Sequence, residues 1–238
     1  MGMPVVVEIP GSAEEGPFER VFSFLTDVDA RFSTYKKDSE IMRINRGEVS
    51  ETEYSPDMRE IFALAEKTRR QTAGYFNIKR PDGILDPSGV VKGWAILRAA
   101  RLILKMGFKS CLVDIGGDIQ TYGKNAEGAE WKVGVRNPFN RDEIVKVLCP
   151  QGSGVATSGT AARGQHIYNP HDRRPLADMV SMTVIGPNVC EADRFATAAF
   201  AMGKGGLCFI EELTGFEGYA IGRDKVATMT SGFERYAP

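Results

Sequence analysis

The apolar positions of this chain change period along its length, and the changes mark out its elements. Phe18, Phe22, Leu25, Val28 and Phe32 recur three and four residues apart, which predicts a helix over residues 17–32. Before it, Met3, Val5, Val6, Val7 and Ile9 are β-formers ended by Pro10-Gly11, a predicted strand over 3–9. Ser55-Pro56 opens a second helix, with proline at its first position, that runs to Gly74. Pro87-Ser88-Gly89 opens a third, with Val91, Ala95, Leu102 and Met106 as core candidates and Gly107 as its end. Cys111 to Ile115 reads as a short buried strand, and further strands are predicted near 118–122, 131–136, 144–149, 154–158, 180–186 and 225–230. A last helix is predicted over 189–202. Asn188 is its N-cap, Glu191 its capping-box partner and Gly203 its stop. Ser33–Glu48, Gly74–Asp86 and Gly159–Pro175 read as long loops, which in a compact domain are often functional. With no repeat, low-complexity tract or linker, residues 1–238 are expected to form a single compact α+β or α/β unit.

Composition narrows the function classes. The chain has 238 residues and a net charge of −1, with both signs spread evenly and no basic cluster interleaved with aromatics. A nucleic-acid footprint is therefore not expected. Cys111, Cys149, Cys190 and Cys208 are far apart in apolar contexts, with no CxxC or zinc spacing, and read as buried free thiols of a reducing compartment. No apolar run approaches a membrane span, and the first residues lack a secretory pattern, so a cytoplasmic protein is expected.

Four stretches and the last helix carry candidate chemistry. Asp193 and Thr197 lie i, i+4 on one face of a helix otherwise made of Ala, Val, Phe and Met. Such a pair is either a hydrogen-bonded structural couple or two hard oxygen ligands for an ion like Mg2+. In Asp86-Pro87-Ser88-Gly89-Val90-Val91-Lys92-Gly93 a carboxylate precedes free helix N–H groups, and Lys92 can offer a point charge to a phosphate. An ordinary cap with a solvated lysine is the alternative. Gly116-Gly117-Asp118 ends a buried strand, either as a tight turn or as a place where a ligand nears backbone amides. No GxGxxG fingerprint is present. Thr157-Ser158-Gly159 is followed by His166, which with His171 makes up the histidine content of the chain; such a histidine is either structural or a general base. Ser33 to Asn45 alone looks like a polar loop and a new capped turn.

In this order, these stretches resemble a known family, the FAD:protein FMN transferases of the ApbE type. Its pattern is an STY..DSE..R.N segment, a D..GI.KGYA turn and helix, a LV..GGD strand and turn, a TSG turn with a following HI.DP, and an ADA.ATA helix. Here these fall on Ser33–Asn45, Asp86–Ala95, Leu112–Asp118, Thr157–Pro170 and Ala192–Ala198.

The resemblance implies an α+β, two-lobed unit of mixed sheets and packed helices, T-fold-like, with a flavin pocket between the lobes. It implies Mg2+ held by the Gly89 carbonyl and the Asp193 and Thr197 side chains, and FAD as substrate. It implies FAD contacts from Met1, Met3, Tyr75, Phe76, Asn77, Asp86, Lys92, Gly116, Gly117, Ser158 and Ile167. It assigns His166 and Asp193 to catalysis, with His166 as base for an acceptor hydroxyl. The implied reaction is Mg2+-dependent transfer of FMN from FAD to a Thr or Ser of a partner protein, releasing AMP. An FAD pyrophosphatase and a non-catalytic FAD binder are the alternatives. Two departures stand out: the segment between Gly74 and Asp86 is compressed, and Asn77 stands where an aspartate is common.

Overall fold

The computed structural model describes residues 2–140, 142–160, 169–171 and 178–238. Strand β1 (Val5–Glu8) leads to helix α1 (Gly16–Phe32), the short α2 (Glu40–Asn45) and then α3 (Pro56–Gln71) and α4 (Ser88–Lys105). Strands β2 (Cys111–Ile115), β3 (Asp118–Tyr122), β4 (Val133–Arg136), β5 (Ile144–Leu148), β6 (Gly154–Gly159) and β7 (Met179–Gly186) follow. Helices α5 (Val189–Ala201) and α6 (Gly206–Glu211) then precede β8 (Glu217–Gly222) and β9 (Ala227–Met229). Seven strands form one sheet in the order β1-β2-β3-β6-β7-β8-β9, and β4-β5 is a separate hairpin. Every strand pairing among the described residues is antiparallel.

Two helix-on-sheet layers sit side by side. Helix α4 lies on β2 and β3, while α5 lies on β6 and β7, and the two helices touch along their length. Val28, Ile61, Ile96, Ile103 and Val113 belong to the first core, and Met182, Val184, Phe195, Phe200 and Ala220 to the second. Alternation along β7 sends Met182 and Val184 to α5 and Ile185 to a third cluster, with Val135 and Leu148 of the β4-β5 hairpin. Both faces of β7 are thus covered, and all its residues are buried.

The two layers are joined at β3 and β6 by only two residue pairs, Ile119 with Val155 and Gln120 with Gly154. Beyond them a side chain continues the ladder: Asp118 Oδ1 accepts from Thr157 N at 2.9 Å. Gln120 works at the same seam. Its Oε1 accepts from Val189 N at 2.9 Å, satisfying a free donor at the start of α5, and its Nε2 donates to Gly152 O at 2.8 Å.

Several features depart from the sequence expectation. The segment read as a loop over Ser33–Glu48 contains α2, capped by Ser39, whose Oγ accepts from Met42 N at 3.3 Å and donates to Ser33 O at 2.7 Å. Glu40 Oε1 accepts from Ser55 N at 2.6 Å, so this acid fixes the start of α3. Helix α6 and strand β8 fall outside the expected elements, because glycines at 206, 218 and 222 mask their period. Those glycines are packing devices: a Cβ at Gly206 would stand 1.9 Å from Ala199 O, and one at Gly218 would stand 3.0 Å from Leu207 Cδ1. The capping box at α5 is half made. Asn188 Oδ1 accepts from Glu191 N at 3.1 Å, but the Glu191 carboxylate turns to Arg194. Arg194 is buried and ties α5 to α3 through Gln71 Oε1 at 2.7 Å and Thr68 Oγ1 at 3.2 Å. Cys111, Cys149 and Cys190 are buried as expected, whereas Cys208 is exposed because it lies on the outer face of the short α6.

Asn45 has a long-range role. Its Nδ2 donates to Leu85 O at 3.0 Å and its Oδ1 accepts from Leu85 N at 2.8 Å, so α2 grips the chain just before α4. Asn45→Ala removes both bonds and leaves two backbone groups without their partners. It should destabilise the protein by about 1–3 kcal/mol, read as a lower urea midpoint at unchanged m-value.

Candidate active site at the seam of the two layers

The site is built where α4 meets α5. Gly93 makes that contact possible: a Cβ there would stand 2.7 Å from both Asp193 Cβ and Val189 O. The close approach lets Gly93 N donate to Asp193 Oδ2 at 2.8 Å. In regular helix geometry the Gly93 N–H serves the carbonyl of Gly89, four residues back. The Gly89 carbonyl therefore has at most a share of that N–H and is a better oxygen donor for a cation. Gly89 itself is close to Thr197, since a Cβ on Gly89 would lie 3.4 Å from Thr197 Cγ2. Thr197 Oγ1 is 3.3 Å from Ser158 Oγ at the end of β6. The fold thus gathers Gly89, Asp193, Thr197 and Ser158 at one place.

Lys92 and Asp118 complete this polar cluster. Lys92 Nζ lies 2.5 Å from Asp118 Oδ2 and 3.7 Å from Asp193 Oδ1. The Asp118 and Asp193 side chains are almost wholly buried, at 1% and 3% exposure, so neither charge is dispersed by water. Burial pushes the Asp193 carboxyl up to about 7, and the nearby Asp118 carboxylate adds to the rise, against the opposing pull of the Lys92 ammonium and the Gly93 N–H. Burial also raises Asp114, which the Gly117 amide partly offsets. The Asp193 carboxylate, the Thr197 hydroxyl and the Gly89 carbonyl form a hard-oxygen set suited to a small divalent cation, so the residues fit Mg2+.

Of the other sequence candidates, Gly116 and Gly117 form the two-residue turn of the β2-β3 hairpin, with φ of 64° and 95°. That turn needs positive φ at both positions, which accounts for both glycines. A Cβ at Gly116 would also stand 2.9 Å from Met3 Sδ, so Met3 seats on this turn and the two candidates share one place. Asp86 Oδ1 accepts from Ser88 N at 3.1 Å at the mouth of α4, an Asx turn rather than a helix cap. Phe76 is buried under the start of α4, its Cε2 3.0 Å from where a Gly89 Cβ would lie. Tyr75 packs edge-on against His171, ring centres 4.5 Å apart. Asn77 Oδ1 accepts from Lys79 N at 2.9 Å and shapes the compressed 77–86 segment. Met1, His166 and Ile167 lie outside the described residues.

Asp118 is the site residue that sequence reasoning misses. Its signal is present, as the acid ending the Gly-Gly turn, but a two-residue turn explains an acid there without any site. Only the offset pairing of β3 with β6, a tertiary fact, sets that carboxylate beside Thr157 and Lys92.

A buried acidic cluster with a lysine at the junction of two antiparallel helix-on-sheet layers defines a class of fold and site, and comparison with known proteins names it. The chain belongs to the ApbE family, whose profile matches residues 1–80 and 78–220. It is similar to the FAD:protein FMN transferase of Haemophilus influenzae, 25% identical over 81% of this chain and 74% of that protein. It is also similar to that of Salmonella typhimurium, 34% identical over 52% of this chain and 38% of that protein. The match thus spans well under half of the Salmonella relative's length. Among solved structures it resembles the flavin transferase ApbE from Vibrio cholerae, with a TM-score of 0.86, 23% identity and coverage of 99% of this chain and 96% of that one. The ApbE protein from Thermotoga maritima gives a TM-score of 0.88 at 18% identity, covering 100% and 96%. The α+β architecture expected from the sequence is the fold of these proteins.

Gly93→Ala tests the construction of the site. Alanine gains about 1 kcal/mol of helix propensity over glycine, but here it collides with α5, and overpacking costs about 1–3 kcal/mol. The expected net result is a lower melting temperature; a variant melting above wild type would mean that the helices do not meet at this residue.

Proposed function

We propose that this protein is a Mg2+-dependent FAD:protein FMN transferase, which moves FMN from FAD to a Thr or Ser hydroxyl of an acceptor protein and releases AMP. The observation that carries the reading is the buried Asp193 carboxylate, one helical turn from Thr197 and bonded to the backbone of α4 beside Gly89. The names of the relatives support the same reading. When bound there, Mg2+ supplies positive charge to the pyrophosphate oxygens.

This chain's residues do the rest. Gly89, Asp193 and Thr197 provide the oxygen set, and Lys92 offers an ammonium beside it for phosphate charge. Asp86 and the start of α4 shape the approach, with Met3 on the Gly116-Gly117 turn and Tyr75, Phe76 and Asn77 at the neighbouring wall. The acceptor hydroxyl oxygen forms a bond to the FMN phosphorus, the pyrophosphate P–O bond to AMP breaks, and the hydroxyl proton passes to a base. His166 is the proposed base on its place in the sequence pattern, with Met1 and Ile167 as proposed neighbours of the flavin. Among the described residues no helix is long and apolar enough to cross a membrane.

The test is incubation with FAD and Mg2+, with and without an acceptor peptide, measuring AMP and peptide-bound flavin. AMP with flavin-labelled peptide supports transfer, whereas AMP without label under both conditions would identify a pyrophosphatase. Neither product would leave a flavin-binding protein.

Asp193→Asn keeps the side-chain shape and removes the charge. It should abolish Mg2+ uptake and AMP release, while Thr197→Val, which loses only a neutral donor, should retain some of each. His166→Asn should slow transfer about 10²–10⁴-fold with FAD affinity little changed, as expected for loss of a positioned base. A variant whose only defect is FAD binding would return His166 to the pocket wall.

The Asp193 shift gives a pH prediction. Its pKa in the folded chain is raised from 3.8 to about 7, so the cation-free protein holds this proton longer than the unfolded chain does. That contribution to stability is complete below 3.8 and is lost as pH rises through about 7. A cation must displace the proton, so Mg2+ affinity should climb by up to about tenfold per pH unit below the folded-state pKa and level off above it. Calorimetry across this range checks the slope; a flat profile would place the cation away from Asp193.

A further inference from the structure

We propose that Asp118 is a positioning residue that acts through Lys92: it holds the lysine ammonium off Asp193 and so keeps the Asp193 carboxylate open to a divalent cation. The inference rests on the proposed cation site and adds a residue to its control.

The geometry is asymmetric. Lys92 Nζ is 2.5 Å from Asp118 Oδ2 but 3.7 Å from Asp193 Oδ1, so the ammonium sits against the first carboxylate and farther from the second. Asp118 cannot swing to follow either the lysine or a cation, because its other oxygen accepts from Thr157 N at 2.9 Å, across the point where β3 and β6 part. A carboxylate pinned at one oxygen fixes the place of the other. Lys92, by contrast, is a flexible stem rooted one residue before Gly93, on the face of α4 that meets α5.

The two carboxylates thus have different tasks. One oxygen of Asp193 takes the Gly93 N–H at 2.8 Å, and its remaining oxygen is the one facing Lys92. Remove the charge of Asp118 and, among the described residues, Asp193 is the carboxylate left beside the buried ammonium. In a buried setting the attraction is strong, and the lysine closes the remaining gap and covers the oxygen that a cation needs. Charge counting points the same way. Lys92 balances one of the two carboxylates and leaves one negative charge for the incoming ion. Without Asp118, Lys92 balances the other and leaves none.

The experiment is a double-mutant cycle on the full chain, free of nucleotide, with Mg2+ and Mn2+ affinities read by calorimetry for wild type, Asp118→Asn, Lys92→Met and the double variant. The amide oxygen that Asp118→Asn introduces can still accept from Thr157 N, so the backbone contact is retained. Asp118→Asn should weaken cation binding by about tenfold or more in the presence of Lys92. In the Lys92→Met background the same change should cost clearly less, because the competitor is gone and one carboxylate charge still remains for the ion. Lys92→Met alone should bind cations more tightly than wild type. An equal loss in both backgrounds would make Asp118 a direct cation ligand and overturn the proposal, as would an Asp118→Asn protein with wild-type affinity. A wild-type chain that takes up no cation would instead overturn the cation site itself, and this inference with it.

A second measurement needs no substitution and covers the case in which Asp118→Asn does not fold. The ζ-nitrogen resonance of Lys92 should keep the signature of a salt-bridged ammonium when Mg2+ is added, since Lys92 stays on Asp118. Loss of that signature on loading would show that the cation evicts the lysine, against the proposal.

Discussion

The contact on which this structure turns is the one between Gly93 and Asp193. A buried carboxylate is costly unless it is bonded and balanced. Here one oxygen is met by a backbone N–H of another helix, and that N–H is within reach only because residue 93 has no side chain. The packing of α4 on α5, the burial of Asp193 and the N–H that Gly93 gives to it are one fact seen from three sides. Much else follows from the need to hold those helices in register. Arg194 anchors α5 to α3, Gln120 satisfies the start of α5, and Asn45 fixes the approach to α4. Each is a polar side chain bonded to a distant element, where apolar packing alone would tolerate sliding.

The location of the site also has a reason. A continuous backbone ladder through β3 and β6 would bury its polar groups in mutual hydrogen bonds and leave none for a ligand. By pairing at two positions only, the strands bring the acid of the Gly-Gly turn and the Thr157-Ser158 end of β6 beside the helix starts. The two layers therefore share a polar junction flanked by separate apolar cores.

Much of this is legible in the chain. Helices α1, α3, α4 and α5 can be read within a few residues, because proline starts, Asn188, Gly107 and Gly203 punctuate clean helical periods. Strands β2, β3 and β5–β7 are legible for the same reason, their apolar runs being bounded by glycine turns. What is not legible has a physical cause. Strand β8, with glycines at both ends of its Tyr219-Ala220-Ile221 run, lacks a β signature, and it exists because β7 and β9 flank it and α6 covers it. Helix α2 is too short to show a period. At the site, the i, i+4 pairing of Asp193 and Thr197 is visible in sequence, and so is the Gly89-to-Gly93 turn. The pairing of Lys92 with Asp118 is not, because it depends on how β3 and β6 overlap in the sheet rather than on any local spacing.

The two-pair seam bears on how the molecule breathes. Backbone ladders of many bonds open rarely, but a ladder of two pairs extended by a carboxylate can open without disturbing either flanking core. The amide of Thr157, bonded to Asp118 rather than to a strand, is therefore a reporter placed by the fold itself. Its exchange with solvent deuterium follows the integrity of the polar junction, separately from the deeper amides of β7, which exchange only when the sheet itself gives way.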